Sequence, residues 1–413
     1  MRGMTESSSS GDGGVDGGGD DVPAVVALTR ELVAVPVQDA EAVAGDRIEA
    51  WLREHAPGAV LRDDHGNVFA RRTPADAEPA TASELTDAGD VTAGERPTLA
   101  FVGHHDVVDP APSQVADGEV TFDVDADAAD PASGGVGARV RGRGVADMKG
   151  AVAAAMLAFR DADLASGRDL AFASFVGEEV GGEGCRAAIA DGFAPEWAVV
   201  GEGSTGYSAA GVTDVAVAHK GRRAVTVEAA GSAAHASEPD AGENAIYRAT
   251  DAVDVLRDLA WPSVEVAGET LSGSVVVTEI DGGSAWNVVP DACEVTVDER
   301  TVPGERAAVE RVGAIDGVAA RVDQDLPPMR CGDDAFADAV LAAAADAQDA
   351  TPERVTKPHA TDAGWLDDRA DVACVICGVA EPGEAHTDAE SASVTVLERC
   401  RRAYEDVAGA SFD

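Results

Sequence analysis

Short apolar runs alternate with helical patterns over the first half of the chain. VPAVVALTRELVAVP and IEAWLREHAP carry apolar residues at helical spacing, and GNVFARR reads as a strand. TLAFVG, LAFASFV and WAVVG are continuous apolar runs, the mark of strands covered on both faces. MKGAVAAAMLAFRDA, between the first two runs, is an Ala-rich helix. This alternation predicts an α/β domain with a mainly parallel sheet and helices on both faces. After residue 215 the pattern changes. VAVAHKGRRAVTVEAAG, SGSVVVTEI and CEVTVDERTV read as strands, ENAIYRATDAVDVLRDLA as an amphipathic helix, and AAVERVGAIDGV as another helix. The first pattern returns near 330, with FADAVLAAAADAQ as a helix and ADVACVICG as a strand. The expected organisation is a larger domain over 23–215 and 328–413 with a smaller α+β domain, 216–327, inserted into it. Residues 1–22, rich in Gly, Ser and Asp, are expected to be disordered. The polar stretches 74–96 and 115–135 are expected to be loops.

Composition narrows the function. The chain has 413 residues, 45% of them hydrophobic, enough for a sizeable core. Its 31 basic and 76 acidic side chains give a net charge of −45, which repels nucleic acid and anionic membranes. The acids run through the whole chain, so a protein adapted to high salt is expected. No apolar run approaches the roughly 20 residues a membrane span needs. The N-terminal MRGMTESSSSGDGGVDGGGDD lacks the apolar segment of a secretory signal, and a cytoplasmic protein is expected. The three lysines, Lys149, Lys220 and Lys357, all fall inside or beside the motifs below. Cys374 and Cys377 form a CxxC within a strand, where i and i+3 point to opposite faces, so a structural role is expected. DVDADAADPASG, from Asp123, imitates a calcium loop but has Ala128 at position six and Gly134 at position twelve, and reads as an acidic loop.

Five separated segments carry metal-competent side chains. In GHHDVV, His104 and Asp106 sit at i and i+2 off a strand end and share a face, so the carboxylate can orient the imidazole. In RGRGVADMKG, Asp147 lies between a glycine-rich turn and a helix, where it could bridge two metals or cap the helix. In SFVGEEVGGEG, Glu178 and Glu179 are adjacent carboxylates after a buried strand, costly side by side unless a cation is present. Glu202 in WAVVGEG follows another strand, and His386 in EPGEAHTDAES follows VACVIC. In α/β sheets this edge is where ligand sites form. Two imidazoles and three carboxylates there suit a dinuclear site of nitrogen and oxygen donors.

With these motifs in this order, the sequence resembles the co-catalytic zinc aminoacylase and carboxypeptidase family, which includes succinyl-diaminopimelate desuccinylase and acetylornithine deacetylase. The resemblance spans roughly residues 22–410. It implies two zinc ions, with cobalt or manganese as substitutes. His104 and Glu202 would each bind one metal, as would Glu179 and His386, and Asp147 would bridge both. Glu178 would be the general base and Asp106 the support of the His104 ring. GSAAHASEPDAGENAI resembles the family's lid and dimerisation domain, in which His235 would reach a partner's active site. Asn287 and Arg300, in GGSAWNVVPDACEVTVDER, would bind the substrate and its carboxylate. Thr361 and Asp362 occupy the region where relatives read substrate, here KPHATDAGWL rather than a Gly-Gly-Thr-Ser-Asp pattern. The implied function is cleavage of the amide bond of an N-acyl amino acid by a homodimer, using a water shared by the metals. A metallo-carboxypeptidase or dipeptidase, and a non-catalytic metal-binding relative, are the alternatives.

Overall fold

The structure is a computed structural model that describes residues 22–81 and 85–412. The expected disordered tail therefore lies, up to residue 21, outside the described residues. A nine-stranded mixed sheet forms the larger unit. Its centre runs Asp169–Phe175, Thr98–His104, Trp197–Val200 and Ala373–Ile376, and these neighbours are parallel. Antiparallel pairs flank them: Ala59–Arg62 with Val68–Arg72 on one side, Val215–His219 with Met329–Arg330 on the other. The expected parallel sheet is thus the middle of a mixed one.

The two longest central strands are buried along their whole length, which explains their unbroken apolar sequence. Helices cover both faces. Ala24–Val33, Gly150–Asp161, Asp334–Asp346 and Val394–Gly409 pack on one. Glu183–Ala190 and Asp362–Ala370 pack on the other. Gly150–Phe159 is entirely buried, and its alanines let the helix lie close to both the sheet and Val394–Gly409. Cys374 and Cys377 join the cores on opposite faces, as strand geometry requires, and no cysteine is paired.

The smaller unit is an antiparallel sheet in the order Ser274–Gly282, Ala292–Thr301, Gly221–Ala230, Val318–Leu326, with the helix Ala245–Arg257 over its core face. The chain leaves the large sheet at Lys220, between Val215–His219 and Gly221–Ala230, a few residues later than the change of pattern suggests. VAVAH is buried throughout and pairs with Arg354–Lys357, so it belongs with the covered sheet.

Three local expectations are corrected. AAVERVGAIDGV forms only the 3₁₀ turn Val309–Ala314, since Gly313 and Gly317 weaken a helix there. The polar stretch 74–96 contains the short helix Ala88–Thr92, capped by Asp87. The acidic stretch 115–135 is mostly strand: Asp123–Asp130 pairs with Gly135–Arg141, which in turn pairs with Ser391–Ser393. Alternation of Asp with Val or Ala suits a half-exposed ribbon, and Arg141 meets Asp125 across it.

Candidate metal centre

Four of the five chemical segments leave the carboxyl ends of neighbouring central strands. His104 closes Thr98–His104, Glu178 and Glu179 follow Asp169–Phe175, Glu202 follows Trp197–Val200, and His386 lies in the loop after Ala373–Ile376. Asp147 enters from the irregular turn ahead of Gly150–Asp161, with a cis peptide to Met148. Parallel strands point the same way, so residues far apart in sequence meet at one edge.

Asp147 stands between the two imidazoles. His104 Nε2 lies 3.2 Å from its Oδ1, and His386 Nε2 lies 3.2 Å from its Oδ2. His104 Nε2 is also 3.5 Å from Glu202 Oε1, and His386 Nε2 is 3.0 Å from Glu179 Oε1. On the far side of the ring, His104 Nδ1 is 3.2 Å from Asp106 Oδ1. The same Asp106 carboxylate accepts the backbone N–H groups of Glu178 and Glu179, at 3.2 and 3.1 Å. Asp106 thus orients one imidazole and pins the turn carrying both glutamates. Donor atoms of His104, Asp147 and Glu179 lie within 4.8 Å of one another, as do those of His104, Glu178 and Glu202. All the residues expected to ligate metal are therefore brought together, and Glu178 shares their cluster.

The electrostatics favour cations. Two carboxylates about 4 Å apart repel by about 4 kcal/mol at an effective dielectric of about 20. Burial pushes Glu179 up to about 7 and Glu178 well above the usual carboxylate range. Burial opposes a proton on His104, yet bonds to Asp106, Asp147 and Glu202 hold that imidazole well above its usual range. The bond to Asp147, with Glu179 nearby, lifts His386 to about 9. Protonated imidazoles answer the negative charge here, and divalent ions would take the place of those protons. The donor set and its supporting carboxylate fit zinc.

A cavity of about 410 Å³ opens above the cluster. Its sheet side presents Asp147, Glu178, Glu179, Glu202 and His386. Its other side includes Arg222 and Arg300 of the small sheet, together with Lys357 and His359. Arg222 and Arg300 are cross-strand partners, and both face Asp298. Arg300 is therefore placed at the cavity.

Other expected substrate residues stand elsewhere. Thr361 Oγ1 caps the helix Asp362–Ala370 and sits 3.2 Å from His219 Nε2. The Asp362 carboxylate is buried behind the Gly182 turn, and neither oxygen has a hydrogen-bond partner among the described residues. Neither residue lines the cavity, because helix packing turns both into the core. His235 is exposed and bonded to Ser237, and neither it nor Asn287 lines the cavity of its own chain.

Lys357 and Arg222 were not singled out as site residues from sequence. Lys357 donates a 2.8 Å bond to Glu202. Scarcity of lysine in so acidic a chain was the signal that could have found it.

A mixed sheet with a cluster of two imidazoles and several carboxylates at its carboxyl edge, under a smaller sheet, defines a metallopeptidase-like hydrolase fold. The chain belongs to peptidase family M20/M25/M40, whose model matches residues 100–410. It is 31% identical over 218 residues to acetylornithine deacetylase of Myxococcus xanthus, covering 51% of each chain. It is 27% identical over 318 residues to a protein of Emericella nidulans named "Probable carboxypeptidase", covering 69% of this chain and 64% of that one. These alignments leave about a third to a half of each relative unmatched. Among solved structures, aminopeptidase PepT of Bacillus cereus superposes with a TM-score of 0.66 at 19% identity, covering 93% of this chain and 98% of that one. A dinuclear metal-binding M20-family peptidase of Bacillus subtilis superposes with a TM-score of 0.61 at 16% identity, covering 93% and 96%. Among the described residues, no helix is long and apolar enough to cross a membrane.

Proposed function

We propose that the chain is a dinuclear zinc hydrolase that removes the acyl group from an N-acyl amino acid. The observation that carries the reading is Asp147, with one oxygen 3.2 Å from His104 and the other 3.2 Å from His386. That is the geometry of a carboxylate able to serve two cations at once. In this reading His104 and Glu202 hold one ion, and Glu179 and His386 the other. Bound there, zinc, or cobalt or manganese in its place, would acidify a water and polarise the amide carbonyl.

The remaining steps fall to the protein. Asp106 holds the His104 ring and aims the Glu178 turn. Glu178, whose carboxyl burial raises, takes a proton from the attacking water and passes it to the leaving amine. Arg300, with Arg222 beside it, receives the substrate carboxylate; a forked guanidinium matches that group. His235, exposed and outside its own cavity, would polarise the carbonyl only from a second copy, so a homodimer is part of the proposal. The acidic surface suits a cytoplasm rich in salt.

A panel of N-acetyl and N-succinyl amino acids set against dipeptides, in high salt with added zinc, tests the reading. Turnover of the acyl amino acids, lost on chelation and restored by zinc or cobalt, is expected. Preference for dipeptides would make it a peptidase. Metal uptake without turnover of either class would leave a metal-binding protein and sink the proposal.

A further inference from the structure

We propose that Glu390 is a positioning residue that fixes the spacing of the two cations by locking the Asp147 turn to the His386 segment. The inference rests on the dinuclear reading above. Glu390 is 1% exposed and does not reach the cavity. Its Oε1 accepts the backbone N–H groups of Gly144, Ala146 and Asp147, at 2.9, 3.0 and 3.2 Å. Its Oε2 accepts a 2.6 Å bond from Arg143 Nη1. Every donor comes from one turn, 143–147, and the last is the N–H of the residue between the imidazoles.

The turn needs such an acceptor. Gly144 has φ +89°, and Asp147 and Met148 are non-helical, so the N–H groups of Gly144, Ala146 and Asp147 converge where no helix or strand supplies a carbonyl. The two oxygens of one carboxylate meet all of them and Arg143 as well. A neutral amide has a single acceptor oxygen and would turn N–H groups toward Arg143 or the turn.

Glu390 also sits four residues after His386 on a segment braced at several points. Its own N–H points to Thr387 O at 3.4 Å, and buried Gln114 donates to the same oxygen at 3.1 Å. Arg139 bonds Glu381 and Glu384 ahead of His386, each at 2.9 Å, and pairs through its backbone with Ser393 beyond Glu390. The strand Gly135–Arg141 leads straight into the 143–147 turn. The acidic ribbon, Glu390 and the His386 segment thus form one frame, and the 3.2 Å approach of His386 to Asp147 is set by it.

The test compares wild type with Glu390→Gln, reading zinc stoichiometry and affinity by chelator competition, and the visible spectrum of the cobalt-loaded protein. Support would be a Glu390→Gln protein that keeps wild-type far-ultraviolet circular dichroism, binds its weaker metal about 10–100-fold less tightly and has a shifted cobalt spectrum. Glu390→Asp should recover part of the affinity. Unchanged affinity and spectrum would overturn the inference, even if Tm falls. So would a Glu390→Gln chain that does not fold with zinc present, since the carboxylate would then serve the fold and not the centre. A wild type that takes up no metal would instead refute the dinuclear reading itself.

Discussion

Lys357 donates a 2.8 Å bond to Glu202 Oε2, while Glu202 Oε1 faces His104 at 3.5 Å. Both members of the ion pair are buried, and the ammonium is one of only three in the chain. Burial opposes charge on Glu202, yet Lys357 brings its carboxyl below the usual range. Lys357 therefore leaves one oxygen free for a cation and occupies the other. Removing one partner of a buried pair costs about 3–5 kcal/mol. Lys357→Met is expected to destabilise the metal-free protein by that order and the zinc-loaded protein by much less, because the ion supplies the missing charge. Melts with chelator and with zinc measure both, and equal losses would reject the argument.

Glu178 is the cavity carboxylate assigned to proton transfer. Glu178→Gln should lower kcat by about 10²–10⁴-fold, the range for a lost general base. Zinc content by elemental analysis should stay at the wild-type level. Loss of metal together with activity would make Glu178 a ligand instead.

Arg300 faces the cavity from the small sheet. A hydrogen bond to a charged group contributes about 1.5–3 kcal/mol, roughly 10–100-fold in affinity. Arg300→Met should therefore raise KM for substrates with a free carboxylate by about that factor, with little change for the matching methyl esters. The comparison isolates carboxylate recognition from any general disturbance.

His219 is a buried imidazole that pairs across strands with Lys357, the partner of Glu202. Burial lowers its pKa from 6.5 to about 4 while its ring meets Lys220 O and Thr361 Oγ1. The unfolded chain binds this proton first as pH falls. The stability associated with neutral His219 is full above about 6.5 and is lost on descent toward about 4. The stability lost over that interval is on the order of 3 kcal/mol. His219→Gln should show a flatter decline than wild type over that interval in denaturant titrations; identical slopes would dismiss the role.

The net charge of −45 implies strong self-repulsion in dilute buffer. The Debye length shrinks from about 10 Å at 0.1 M to about 3 Å at 1 M salt. Tm is therefore expected to rise steeply between 0.1 M and 2 M potassium chloride. A flat profile would show that the surface acids are already balanced within the fold.

Much of this was legible in the residues. Apolar runs that stop abruptly at His104, at the glycine before Glu178, and at the glycine before Glu202 mark strand ends. Polar groups at such ends in an α/β pattern collect at one edge. Less visible was the ribbon 123–141, because its alternation is written in Asp and Ala, residues depleted in strands. The side-chain directions of Thr361 and Asp362 were not legible either: a motif locates a helix start but not the direction its side chains face after packing.

Local sequence determined the strands, the Ala-rich helix and the five chemical segments, because the periodicity of burial and the chemistry of donor groups are properties of short stretches. The tertiary structure decided which segments are neighbours. Strand order places Glu202 between the His104 and His386 segments. The path of Arg354–Lys357 beside Val215–His219 carries Lys357 to Glu202. The ribbon and Glu390 meet the Asp147 turn across 243 residues of chain. Such contacts depend on how whole layers stack, and no window of sequence contains that information.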